Sequence, residues 1–198
     1  RAKLRHGTEL AVLVLLDASL STDGWVGNRR VLEVELESPL AIAEALEGLD
    51  VELGIATFHS NTRRDCRFSI VKGIDETWDA ASLRLASIEP AGYTRMGPAL
   101  RHATHILGRT TARRRLLLLL TDGKPNDYDR YEGSYGIADV RQAVREAERE
   151  RVHVHALAFD REARFHLPRM LGPTRHSVVS SPDQLALAMG RVCADMRR

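Results

Sequence analysis

An α/β fold, Rossmann-like and doubly wound, with a mostly parallel six-stranded sheet, one antiparallel edge strand and helices on both faces, is the class this sequence predicts. Three observations predict it. Apolar runs of strand length alternate with segments whose apolar residues fall three and four apart, the signature of a parallel sheet covered by helices. Two runs, Ala-Val-Leu-Val-Leu-Leu at 11–16 and the leucines at 116–120, read as strands buried on both faces. The runs at 51–59 and 65–72 are joined only by the polar stretch His59 to Arg64, too short for a parallel crossover, so they predict an antiparallel hairpin.

In chain order, strands are expected near 10–16, 51–59, 65–72, 114–121, 152–159 and 175–180. A helix follows the first strand, with Ala41, Ile42, Ala45, Leu46 and Leu49 facing inward. Pro39 interrupts it, which predicts either a kink or a new helix capped by Ser38. Shorter helices are expected over 76–86, 97–107 and 161–169. The period is cleanest for Ile137, Val140, Val144 and Ala147, and for Leu185, Ala188, Met189, Val192 and Met196. Ser181-Pro182-Asp183 is a suitable start for the last helix, with proline in the first turn and an acid at the positive end of the dipole.

Composition narrows the function classes. The 198 residues, 43% hydrophobic, suffice for one sizeable core and predict one domain. A formal charge of +2, from 29 basic and 27 acidic residues, gives no net field that implies nucleic acid or an anionic membrane. Cys66 and Cys193 sit in no metal-ligand spacing, so a reducing cytoplasm is the expected compartment. No apolar run approaches the roughly 18 residues of a membrane span. A start at Arg1 rather than Met predicts a piece of something longer.

The chemistry lies in three short pieces: Asp17, Ser19 and Ser21 directly after the first strand, Thr94 in Gly-Tyr-Thr-Arg-Met-Gly, and Asp122 in Leu-Leu-Thr-Asp-Gly after the run at 116–120. Ligands of open α/β sheets bind beyond the carboxyl ends of the strands, where the strand order reverses, and Asp17 and Asp122 trail the two strands expected to flank that point. Hydroxyls are neutral hard ligands and carboxylates charged ones. Together they suit Mg²⁺, with Mn²⁺ or Ca²⁺ as other admissible ions, and leave part of its charge uncompensated. Ser19 and Ser21 are expected to touch the ion, Asp17 and Asp122 to hold it through waters, and Thr94 to arrive from a separate loop. An open corner would attract a carboxylate from another protein.

This set, in this order and on this strand pattern, resembles the metal-ion-dependent adhesion site (MIDAS) of a von Willebrand factor type A (vWA) domain. Residues 92–104 and 120–137 narrow the likeness: they resemble the carboxyl-terminal domain of the NorD and CbbO proteins. The resemblance implies that residues 1–198 form a single vWA domain ending a larger adaptor subunit. It also implies a cytoplasmic, noncatalytic role with a MoxR-type AAA+ ATPase hexamer (CbbQ- or NorQ-like), in which the domain grips a client enzyme, Rubisco or nitric oxide reductase, so that the complex acts as an activase or chaperone.

Blander readings stand beside these. A Ser-rich turn after a strand is often a helix cap, and Asp-Gly is usually a turn. The loop 126–135 is rich in acids and tyrosines. Asp127 and Tyr131 are taken as partner-binding candidates, because exposed tyrosine beside a site is typical of interface anchors, whereas Asp129 and Arg130 read as pinned by hydrogen bonds of the loop itself. Arg113-Arg114-Arg115 lies at the opposite sheet end and reads as a solvated cluster. His102 with His105, and His153 with His155, lack a third ligand and read as packing or surface residues; His59 is a weak candidate for supporting the ion. An aspartyl-phosphate enzyme would need a second acid where Ser19 stands, and neither Gly-x-Ser-x-Gly nor a phosphate-binding glycine loop occurs, so a Mg²⁺-dependent phosphohydrolase is disfavoured. An extracellular adhesion module is the other alternative.

Overall fold

The computed structural model describes residues 8–23, 25–26, 29–121, 124–159, 163–179 and 182–196. Its strands are β1 (Leu10–Asp17), β2 (Trp25–Val26), β3 (Arg29–Arg30), β4 (Val51–Thr62), β5 (Asp65–Lys72), β6 (Arg114–Thr121), β7 (Val152–Ala158) and β8 (His176–Val178). Its helices are α1 (Val31–Ala45), α2 (Trp78–Ala86), α3 (Met96–Gly108), α4 (Gly133–Arg149), α5 (Ala163–Leu171) and α6 (Pro182–Met196). A short 3₁₀ turn spans Leu20–Asp23, and β2 and β3 form a small separate ribbon.

The main sheet runs β5-β4-β1-β6-β7-β8, with β5 antiparallel to β4 and the other neighbours parallel. Successive residues of a strand point to opposite faces, so β1 supplies two cores. Ala11, Leu13 and Leu15 pack with α3, α4 and α5, while Leu10, Val12, Val14 and Leu16 pack with α1, α2 and α6. Every residue of β1 is buried, which is why its sequence does not alternate. Because β1 lies between β4 and β6, the chain leaves it toward β4 on one side and later returns to β6 on the other. The reversal therefore falls at the carboxyl end of β1, beside that of β6.

Helix α1 runs through Pro39 without a break, so no second helix begins there. Ser38 is not a cap: its buried hydroxyl donates back to the Val34 carbonyl at 2.6 Å, inside the turn where proline supplies no N–H. Strand β4 runs to Thr62, three residues past the expected end at His59, because β5 continues to pair with it beyond the parallel sheet. The hairpin thus projects above the carboxyl edge. At the other edge, Arg113 and Arg114 pair with Glu9, while Arg115 is half-buried and donates to the Thr110 carbonyl at 3.0 Å, so the solvated reading does not extend to it. Among the described residues no helix is long and apolar enough to cross a membrane.

Candidate metal centre

Asp17 is the last residue of β1 and is fully buried. Its Oδ1 accepts the Ser19 backbone N–H at 3.1 Å, which curls the chain so that Ser19 and Ser21 turn to the same side. The two serine hydroxyls lie 2.8 Å apart. The Thr94 hydroxyl comes from the loop before α3; it is 2.7 Å from Ser19 Oγ and 3.4 Å from Asp17 Oδ1. Asp17 Oδ2 accepts from the Thr121 hydroxyl at 3.0 Å, which ties the end of β1 to the end of β6. Four of the five expected ligands, Asp17, Ser19, Ser21 and Thr94, therefore converge. Asp122 lies outside the described residues, next to the Thr121 that does reach the cluster.

The loop bearing Thr94 is tied on three sides by main-chain hydrogen bonds. Ala91 donates to Ala18 at 2.8 Å and Leu20 to Gly92 at 3.1 Å. Tyr93 exchanges both bonds with Ser60, at 2.6 and 2.9 Å, and Thr94 exchanges both with Asn126, at 2.8 and 3.0 Å. Gly92 is obligatory in this arrangement. Its φ is +65°, and a Cβ there would stand 2.2 Å from the Ser60 carbonyl oxygen.

Oxygens at adjacent corners of an octahedron around Mg²⁺, each about 2.0–2.1 Å from the ion, are separated by about 2.9 Å. The hydroxyl separations of 2.8 and 2.7 Å are those of O–H···O hydrogen bonds and also lie close to that edge, so the oxygen donor set can accommodate a small hard cation. Softer metals fit less well. Among the described residues no three His, Cys, Asp or Glu side chains gather as a metal site.

The model of the von Willebrand factor type A domain matches residues 12–188, which contain the whole cluster. The chain belongs to this family. Curated relatives of the vWA domain include Protein NorD of Brucella suis, 45% identical over 185 residues, and Protein NorD of Stutzerimonas stutzeri, 41% identical over 180 residues. The matches cover 93% and 90% of this chain but 29% of each relative, so the chain spans less than a third of their length. Among solved structures, the PilB minor pilin of Streptococcus sanguinis superposes with a TM-score of 0.72 at 14% identity, covering 98% of this chain and 62% of the pilin. The vWF domain of the type V pili tip protein Mfa5 of Porphyromonas gingivalis gives 0.68 at 11%, with 96% of each chain covered. At such identities the structural likeness shows the fold alone.

The vWA domain corrects one expectation. Asp127 and Tyr131 are buried, so neither offers a side chain to a partner in this structure. Asp127 Oδ2 accepts from Arg95 Nε and from Ser60 Oγ, both at 2.8 Å, and its Oδ1 accepts the Tyr128 N–H at 2.7 Å. Arg95 also pairs with Asp129, and its guanidinium lies 4.2 Å from the centre of the Tyr131 ring. The Tyr131 hydroxyl donates to Asp139 at 2.5 Å and accepts the Gly97 N–H at 3.1 Å. Burial, with the Asp139 carboxylate beside it, pushes the Tyr131 phenol far above its ordinary range. These residues brace the loops behind the hydroxyl cluster. The exposed tyrosines nearby are Tyr128 and Tyr135.

Sequence reasoning missed Ser60, Arg95 and Thr121 as supports. Only Thr121 carried a local signal, since it adjoins Asp122. Asp129 is not held by its own loop as expected: it accepts the Arg63 N–H of the β4–β5 hairpin at 3.0 Å and pairs with Arg95. His59 is half-buried with its pKa lowered by burial and then by Arg67, and among the described residues no hydrogen bond joins it to the cluster. His102 packs edge-on against Phe68, and His155 lies 3.1 Å from Ser177 Oγ.

Proposed function

We propose that this vWA domain is a noncatalytic, Mg²⁺-dependent protein-binding adaptor of an AAA+ activase complex. The observation that supports it is the clustering of three hydroxyls within hydrogen-bonding distance at the switch point of the sheet, over the buried Asp17. Ser19, Ser21 and Thr94 would hold the ion, with Asp17 and Asp122 supporting it. When bound, Mg²⁺ would supply a positive charge that attracts an acidic side chain of the client. The domain itself presents the hydroxyls, holds them in register through the end of β1, and braces the Thr94 loop against β4 and residue 126.

The NorD-named relatives support the adaptor class, and the client would be one of the two that the resemblance implies, nitric oxide reductase or Rubisco. A MoxR-type ATPase would supply the work. The position two residues after Asp17 is a serine, not the second acid that phosphoryl transfer would require, which supports a binding role.

The test is a pull-down of the client in millimolar Mg²⁺, with and without chelator, beside client activation by the ATPase complex. Asp17→Ala and Ser19→Ala are expected to keep the fold and to abolish client capture and activation, while the ATPase continues to turn over. Normal activation by both variants would refute the adaptor reading.

A further inference from the structure

Four segments meet at the carboxyl edge: the turn after β1, the Thr94 loop, the β4–β5 hairpin tip and the loop after β6. Their proximity is fixed by hydrogen bonds, Leu20 to Gly92, Tyr93 to Ser60, Thr94 to Asn126 and the Arg63 N–H to Asp129. Around the hydroxyl cluster they leave two large apolar side chains in solvent, Leu20 at 59% and Tyr128 at 77% exposure. Leu20 stands between Ser19 and Ser21, where local folding needs no apolar residue. The same segments expose Arg63, Arg64 and Arg130. Among the described residues none of these three guanidinium groups is in an ion pair, whereas Asp65 is engaged by Arg67, and Asp127 and Asp129 by Arg95; of the nearby acids, Glu132 is exposed outside any ion pair.

We infer that this rim is a docking surface for a protein segment that carries several carboxylates interleaved with apolar side chains. The inference rests on the adaptor reading and specifies its partner. One carboxylate goes to the metal centre, others to Arg63, Arg64 and Arg130, and the apolar residues cover Leu20 and Tyr128. Unpaired arginines on a protruding hairpin steer an acidic partner toward the site, and desolvation of leucine and tyrosine holds it there. A polyphosphate backbone would satisfy the arginines but leave Leu20 in water.

The probe is a fluorescein-labelled peptide alternating glutamate and leucine, compared with glutamine–leucine and glutamate–serine peptides by anisotropy in millimolar Mg²⁺, using the full 198-residue chain. The glutamate–leucine peptide is expected to bind, with the glutamine version at least about tenfold weaker and the binding strongly salt-dependent. The serine version, or the Leu20→Ser variant, is expected to bind about fivefold more weakly. The double variant Arg63→Glu/Arg64→Glu, and separately Arg130→Glu, should lose about tenfold and flatten the salt dependence, yet bind Mn²⁺ as the parent does. Three results would overturn the rim: no binding by the parent chain, affinity unchanged in the rim variants, or tighter binding of a single-stranded oligonucleotide of equal charge. Chelator and Asp17→Ala separate the two readings. Rim effects that persist in chelator keep the rim and remove the metal, whereas chelator sensitivity without rim effects does the reverse.

Discussion

Two largely buried polar clusters sit at the carboxyl edge of this sheet, each with one member that reaches solvent, Ser21 in one and Asp129 in the other, and they are satisfied in different ways. In one, a single Arg95 guanidinium is shared by Asp127 and Asp129 and lies against Tyr131, and the carboxylates also accept from the Ser60 hydroxyl and the N–H groups of Tyr128 and Arg63. In the other, Ser19, Ser21 and Thr94 hydroxyls touch one another beside a carboxylate that accepts from a main-chain N–H and two hydroxyls. Each hydroxyl brings one proton and two lone pairs, so hydroxyls packed together hold more acceptors than donors. In the brace every carboxylate oxygen already accepts a hydrogen bond from a guanidinium, a hydroxyl or a main-chain N–H. The hydroxyl cluster has lone pairs to spare, which is why the proposed cation is assigned to it and not to the brace.

The comparison is sharpest at Arg95, which is 5% exposed against a fully buried Asp127 side chain. Arg95→Leu leaves a buried carboxylate without its cation, an effect of about 3–5 kcal/mol. For a chain of this size that lowers the melting temperature by roughly 10 °C. Thermal denaturation followed by circular dichroism measures it. A shift of only a degree or two would mean that the pair contributes no more than a surface salt bridge, and the brace would lose its meaning.

Gly97 comes next. A Cβ at this position would lie 1.8 Å from Asp139 Oδ2 and 2.9 Å from the Tyr131 hydroxyl, so Gly97→Ala forces the brace apart. The expected loss is about 1–3 kcal/mol by overpacking. A crystal structure of the variant should show Asp139 displaced and the Ser19–Ser21 contact unchanged. If the hydroxyl cluster opened instead, the two clusters would be one unit.

Much of this was legible because it depends on periodicity and order. β1 and β6 betray burial on both faces by unbroken apolar runs, the short link from His59 to Arg64 dictates the antiparallel edge, and the polar cluster at the end of β1 follows from the strand order. Burial of a single polar side chain has no such period. Tyr131 reads like Tyr128 and Tyr135 in the sequence, yet it is fully buried, because only in three dimensions do Gly97 and Asp139 offer partners to its hydroxyl. Arg95 is equally opaque: its acids lie 32 and 34 residues away. Ser38 shows the converse error, a good cap by local rules that is overruled when the helix continues and its hydroxyl turns back to Val34.

Tyr131→Phe removes one hydroxyl from the brace and nothing else. The buried Gly97 N–H then has no acceptor and Asp139 loses a donor, an expected loss of about 1–3 kcal/mol in urea denaturation with an unchanged slope. The client-binding affinity should stay close to that of the parent, since the ring itself is inaccessible. A variant as stable as the parent but weaker in binding would restore Tyr131 as a contact residue.

The smallest change in stability is expected where the effect on function is largest. In Asp17→Asn the remaining oxygen can still accept the Ser19 N–H, and the amide can donate to the Thr121 hydroxyl, which rotates to receive it. Folding stability without metal should therefore alter by no more than about 1 kcal/mol. Mg²⁺ should raise the melting temperature of the parent by mass action, since it binds only the folded chain, and leave the variant unmoved. Equal stabilisation of both proteins by Mg²⁺ would place the ion elsewhere. The hydroxyl cluster would then be a second brace, held by its own hydrogen bonds like the first.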